Sequence, residues 1–172
     1  MMNLEEFRQL FLAFEKTACR IEARESYHSA EEAEPLRRFL AGEPDDFAWL
    51  GVWLERVRTL TARGKRLERV RVVSTPLSDY SRFGLNVSRA TVEAGENIHY
   101  LHRDTMRDLG IPQKEFWIFD AETVASLHHG ERGEFLGAEL VTDSEAVAEY
   151  QEWWTAAWRH SQPRDVFLRS LA

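Results

Sequence analysis

Arg69-Val70-Arg71-Val72-Val73 and Asn97-Ile98-His99-Tyr100-Leu101 are two strand-like runs separated by a single helix-length segment, Asp79 to Val92. Strand, helix, strand in that order implies a parallel pair joined by a right-handed crossover. Ser74-Thr75-Pro76 ends the first run, Gly84 weakens the middle of the helix, and Ala94-Gly95-Glu96 turns the chain into the second run. Beyond Gly110-Ile111-Pro112 three more strands are expected, at Phe116–Phe119, Thr123–His128 and Phe135–Val141. Their short turns, Asp120-Ala121-Glu122 and Gly130-Glu131-Arg132-Gly133, suit antiparallel hairpins. A final helix runs from Ser144 to His160 with Val147, Tyr150, Trp154 and Trp158 on one side and Asp143 or Ser144 as its N-cap.

Upstream, helical spacing dominates. Leu4, Phe7, Leu10, Phe11 and Phe14 mark an amphipathic first helix. Cys19, Ile21 and Ala23 then alternate with Arg20, Glu22 and Arg24, the pattern of a short, half-exposed strand. Ser29 with Glu32 reads as a capping box ahead of a short helix carrying Leu36, Phe39 and Leu40 inward and ended by Gly42-Glu43-Pro44. A longer helix follows from Asp46 to Ala62, its apolar face lined by Phe47, Leu50, Trp53, Leu54, Val57 and Leu60. The expected fold is α/β: a mixed sheet flanked by helices in one domain, 1–172, with a mainly helical part at 1–66 and the mixed-sheet part at 67–172.

No apolar run approaches the roughly 20 residues of a membrane span. The start Met1-Met2-Asn3-Leu4-Glu5-Glu6 does not read as a signal peptide, and the one cysteine, Cys19, forms no internal disulfide. A cytoplasmic location is expected, with Cys19 as a small buried residue. The net charge of −7 disfavours direct nucleic-acid binding. Glu55 to Arg71 is a local exception, with Arg63, Lys65 and Arg66 among its cations. It is either a solvated, dipole-matched helix end or a patch for an anion or acidic partner.

Candidate chemistry is sparse. His99 with His102, and His128 with His129, sit at spacings that point to opposite faces of a strand, so neither pair converges on a metal. His102-Arg103-Asp104 sets a base, a cation and a carboxylate in one expected loop, able to bind phosphate or relay a proton; the plainer alternative is three solvated side chains. Phosphate-loop, dinucleotide, nucleophile-elbow and zinc-protease signatures are absent from the sequence, and no cofactor or metal is expected. Trp153 and Trp154 face different directions on their helix, so one of them, Trp153, is a candidate interface residue.

From Arg69 onward the chain resembles one half of the phospholipase D-like fold. The likeness rests on Arg69–Val73, the following helix, Ala94–Ile98, Phe116-Trp117-Ile118-Phe119-Asp120, Gly137–Val141 and the Trp-bearing final helix. Active members carry HxKxxxxD. With Asp120 in the Asp position, Gln113 stands where the nucleophilic His belongs and Glu115 where the Lys belongs. Glutamine does not replace that nucleophile, and glutamate reverses the charge that holds a phosphate. The whole chain also resembles an uncharacterised actinobacterial family, through Phe39–Glu43, Gly64-Lys65-Arg66, Arg71-Val72-Val73, Leu77-Ser78-Asp79-Tyr80, Ala94-Gly95-Glu96, Phe116–Asp120 and Leu127-His128. Members are commonly encoded beside helix-turn-helix regulators, and the resemblance implies a regulatory or toxin–antitoxin-like partnership.

The leading expectation is therefore a non-catalytic regulatory protein whose partner is a DNA-binding regulator. One alternative is a phosphodiesterase- or nuclease-like enzyme with a divergent site drawn from His102, Arg103, Asp120 and His128. The other is a small-ligand sensor using Ser78, Tyr80 and Arg82 at the C-terminal end of a parallel strand.

Overall fold

The computed structural model describes residues 1–172. Its centre is one seven-stranded sheet made of β1 (Thr17–Glu22), β2 (Arg66–Val73), β3 (Asn97–His102), β4 (Glu115–Phe119), β5 (Thr123–His129), β6 (Phe135–Val141) and β7 (Gln162–Pro163). The spatial order is β6-β5-β4-β1-β2-β3-β7. β1, β2 and β3 are parallel neighbours, and every other pairing is antiparallel. The fold is thus mixed α/β, as the strand and helix signals imply.

Seven helices cover the sheet: α1 (Leu4–Ala13), α2 (Ala33–Leu40), α3 (Gly51–Ala62), α4 (Asp79–Ala94), α5 (Arg103–Asp108), α6 (Ser144–His160) and α7 (Arg164–Ser170). Two apolar layers hold them. Phe7, Phe11, Leu54, Val57, Trp117 and Phe119 belong to the layer that joins α1 and α3 to one sheet face. Ile21, Val70, Leu101, Phe116, Val147 and Tyr150 belong to the layer beneath α6 on the other. Burying such side chains supplies the main stabilisation, about 1.5–3 kcal/mol for each large one. α7 closes the β3 side, with Phe167 stacked on Tyr100 at 4.9 Å and Arg164 donating to the Leu85 carbonyl at 2.9 Å.

Residues 1–66 hold helices α1, α2 and α3, but they are also part of the sheet. They supply β1, the central strand, which pairs with β2 on one side and β4 on the other. Nor is β1 half-exposed: Ile21 is fully buried and Glu22 is 9% exposed. The alternation of Arg and Glu with apolar residues is real, but its polar half faces the interior beneath the helices.

The capping box expected at Ser29 and Glu32 does not form. α2 starts at Ala33 with no side-chain cap, because the Glu32 carboxyl accepts a hydrogen bond from the Tyr80 hydroxyl at 2.8 Å. A capping box does begin α1, between Asn3 and Glu6. His102-Arg103-Asp104 is no loop: His102 ends β3 and Arg103 opens α5. The final helix spans Ser144 to His160 with Asp143 capping it, as its periodicity implies.

Candidate functional site

Parallel register builds the site. Arg20 lies opposite Arg69 and Glu22 opposite Arg71, while Trp117 of β4 lies opposite Arg20 on the other side. Alternation along each strand sends all of these side chains to the face that α1, α3 and α4 cover. Between that face and those helices is a cavity of about 320 Å³, at the lower end of the range for small-molecule sites.

The floor is a charged lattice. Arg69 Nε donates to Glu96 at 2.7 Å and Arg69 Nη1 to Glu22 at 3.0 Å. Arg20 Nη1 is 2.8 Å from the same Glu22 oxygen, and Arg71 Nη1 is 3.7 Å from the other. Burial pushes the Glu22 carboxyl up, but Arg20, Arg69 and Arg71 outweigh it and hold its pKa at about 2. Glu115, behind Arg20, accepts from the Ala23 and Arg24 backbone at 2.6 Å and from the Tyr27 hydroxyl at 2.7 Å.

Aromatic rings face the guanidinium planes. Arg20 lies 5.5 Å from the centre of Trp117, Arg69 is 5.9 Å from both Trp53 and Trp117, and Arg71 is 5.1 Å from Tyr27 and 5.5 Å from Tyr80. Such stacking suits arginine, whose weakly hydrated plane tolerates burial better than an ammonium. One donor is left over: Arg20 Nε is buried and has no acceptor. The wall on α4 is open at Gly84, where an added Cβ would meet nothing within 4 Å.

Two further arginines line the cavity from the helical side, Arg8 on α1 and Arg56 on α3. The carboxylates beside them in sequence are engaged elsewhere. Glu5 accepts from Gln9, Glu6 is in the α1 capping box, and Glu55 pairs with Arg58. The cavity lining therefore holds five arginines against Glu22 and Glu32, inside a chain of net charge −7.

Arg56, Arg69 and Arg71 of this lining come from the basic stretch Glu55 to Arg71, and of the candidate residues named one by one from sequence Tyr80 alone lines the cavity. Its neighbours do local work: Ser78 caps α4 by accepting from the Ser81 amide, and Arg82 is exposed and pairs with Asp79. His102 and Arg103 border a second, polar recess with Ser74 and Asp104. Arg103 is tied down there, to Ser74 at 3.0 Å, the Ala23 carbonyl at 2.6 Å and Glu25 at 3.1 Å. His128 is exposed on the outer hairpin, 3.7 Å from Glu139. Asp120 accepts three backbone N–H groups, from Glu15, Lys16 and Thr17, and together these outweigh burial to lower its pKa. It anchors the entry to β1. His102 and Arg103 share that recess, but Asp120 and His128 lie elsewhere, so the four make no common pocket.

Trp153 is half-buried against Phe116 and Tyr150, with the Lys114 ammonium 5.1 Å above its ring. Arg63 and Arg66 are exposed at the α3–β2 turn, where Lys65 donates to the Phe14 carbonyl. Sequence reasoning missed Arg20, Glu22, Arg69 and Arg71 as a group. The available signal was charged residues alternating in two strand-like runs, of which Arg20 and Glu22 were read as the exposed side of a strand and Arg69 and Arg71 as part of a basic stretch, solvated or anion-binding.

No helix is long and apolar enough to cross a membrane. No curated protein matches the chain. A family described as a domain of unknown function, DUF6879, matches residues 5–169, which run from α1 into α7 and include every cavity-lining residue but Leu4. The chain belongs to the DUF6879 family.

Proposed function

We propose that this chain is a small-molecule-binding domain whose ligand occupies the cavity between the sheet and helices α1, α3 and α4. The observation that carries the proposal is the buried Arg20–Glu22–Arg69–Arg71 lattice, with aromatic rings around it, opening onto unfilled space. Buried ion pairs are no cheap route to stability, since apolar side chains of similar volume often serve as well or better. A fold selected for stability alone would close such a space with packed side chains. Donors, acceptors and ring faces converging on one cavity are what recognition of a polar organic molecule requires. This reading keeps the expected non-catalytic, regulatory character and moves recognition from the surface to the interior.

A thermal-shift screen of a metabolite library against the wild type and Gly84→Phe tests it. The expected result is at least one compound that raises the melting temperature of the wild type and not of the variant, whose ring enters the cavity. Compounds that stabilise both proteins equally, or no stabilising compound at all, would remove the proposal.

A further inference from the structure

We infer that the ligand is a planar aromatic ring bearing an anionic group, an inference that rests on the cavity being a ligand site. The charge count sets the first half. On the floor, Arg20, Arg69 and Arg71 face Glu22, Glu96 and Glu115, one carboxylate for each guanidinium, through the contacts Arg69–Glu96, Arg69–Glu22, Arg20–Glu22, Arg71–Glu22 and Arg20–Glu115. That lattice is balanced without a ligand. Arg8 and Arg56 are extra, and neither pairs with the carboxylates of its own helix.

Glu32 is the other acid in the lining. Its carboxyl accepts from the Tyr80 hydroxyl at 2.8 Å and forms no ion pair with Arg8 or Arg56. Arg8 is exposed and Arg56 half-buried, so without a ligand only solvent faces these two guanidiniums at the mouth of the space. An anionic group on the helical side satisfies both, and carboxylate and phosphate suit the guanidinium fork.

The second half comes from the walls. Trp53 and Trp117 lie with ring centres 6.3 Å apart at a 67° angle, and Tyr100 and Phe83 border the same space. Rings of this kind favour stacked or edge-on contact with another ring over contact with a flexible chain. Gly84 leaves one side flat, since no side chain projects from α4 at that point.

Isothermal titration with defined probes tests the inference. Indole-3-carboxylate and adenosine monophosphate are the anionic aromatics, representing carboxylate and phosphate sources. Indole and adenosine are their neutral counterparts, and succinate and inorganic phosphate are anions without a ring. The expected outcome is that one or both anionic aromatics bind the wild type at least tenfold more tightly than the neutral and ring-free probes. The double variant Arg8→Gln/Arg56→Gln, altered only on outer helices, should then lose at least tenfold in affinity, and Gly84→Phe should lose binding.

Equal binding of neutral and anionic forms, or unchanged affinity in the arginine double variant, overturns the ligand class. So does the failure of all six probes when the library screen still yields cavity-dependent binders; in each case the cavity remains a ligand site. If neither experiment finds a binder, both readings fall together.

Discussion

Arg69 and Glu22 meet at 3.0 Å across the central parallel strand pair, with Glu22 only 9% exposed. Both charges are interior, and Glu22 is also the carboxylate that Arg20 and Arg71 approach. Glu22→Gln keeps the shape and removes the charge, leaving three guanidiniums short of one counter-ion. The expected loss is about 3–5 kcal/mol, the range for breaking one member of a buried pair. Urea denaturation measures it, and a loss below about 1 kcal/mol would show that the lattice does not hold the sheet centre together.

Acid should act on the protein in two steps. Burial, aided by Arg20 and Arg24, lowers His129 from an ordinary 6.5 to about 4. The unfolded chain therefore binds that proton first, and stability falls as pH drops from about 6.5 to about 4. Glu22 acts lower: its pKa is 4.5 in the unfolded chain and about 2 when folded, so its contribution is complete above 4.5 and disappears as pH falls toward 2. Denaturation midpoints across this range should show both slopes. His129→Asn should flatten the upper one and leave the lower one in place.

Gly84→Ala separates stability from cavity space. The position is inside α4, and the new methyl meets nothing within 4 Å. Replacing an interior helical glycine should stabilise the fold by about 0.5–1 kcal/mol. A melting temperature higher by about 1–4 °C is expected. A lower value would mean that the methyl does meet the walls and that the space is smaller than it looks.

Asp120 is expected to matter for folding. Asp120→Ala removes the acceptor of three backbone N–H groups at a residue whose φ of 53° already favours Asp or Asn over Ala. The expected cost is about 2–3 kcal/mol, and Asp120→Asn, which keeps one acceptor oxygen and tolerates the backbone, should cost less than half of that. Unchanged stability in Asp120→Ala would mean that the three bonds contribute nothing.

Element order was largely legible because periodicity reports which residues share a face. The run from Phe135 to Val141 and the helix from Ser144 to His160 match their patterns residue for residue. The site was not legible, for the same reason. Alternation at Arg20, Glu22, Arg69 and Arg71 establishes that these residues share a side, but not whether water or another layer covers it. That depended on α1, α3 and α4 all packing on one face, a relation between segments far apart in sequence. The short elements α5, β7 and α7 were missed because 6, 2 and 7 residues are too few to establish a period.

β1 lies at the middle of the sheet although it comes early in the chain. One of its neighbours is β2, and the other is β4, tied to it by bonds such as Ala23 N–H to Glu115 across 92 residues. Nothing local can complete its ladder. A chain growing from the ribosome would have to hold an apolar strand with one open edge until β4 emerged, and refolding would have to close that long loop before the sheet gains its full reward. Arg20 and Glu22 give that waiting strand charges on alternate residues, which are a known deterrent to wrong edge-to-edge pairing. Two charges of the lattice that shapes the cavity thus also mark the strand that must wait longest for its second neighbour.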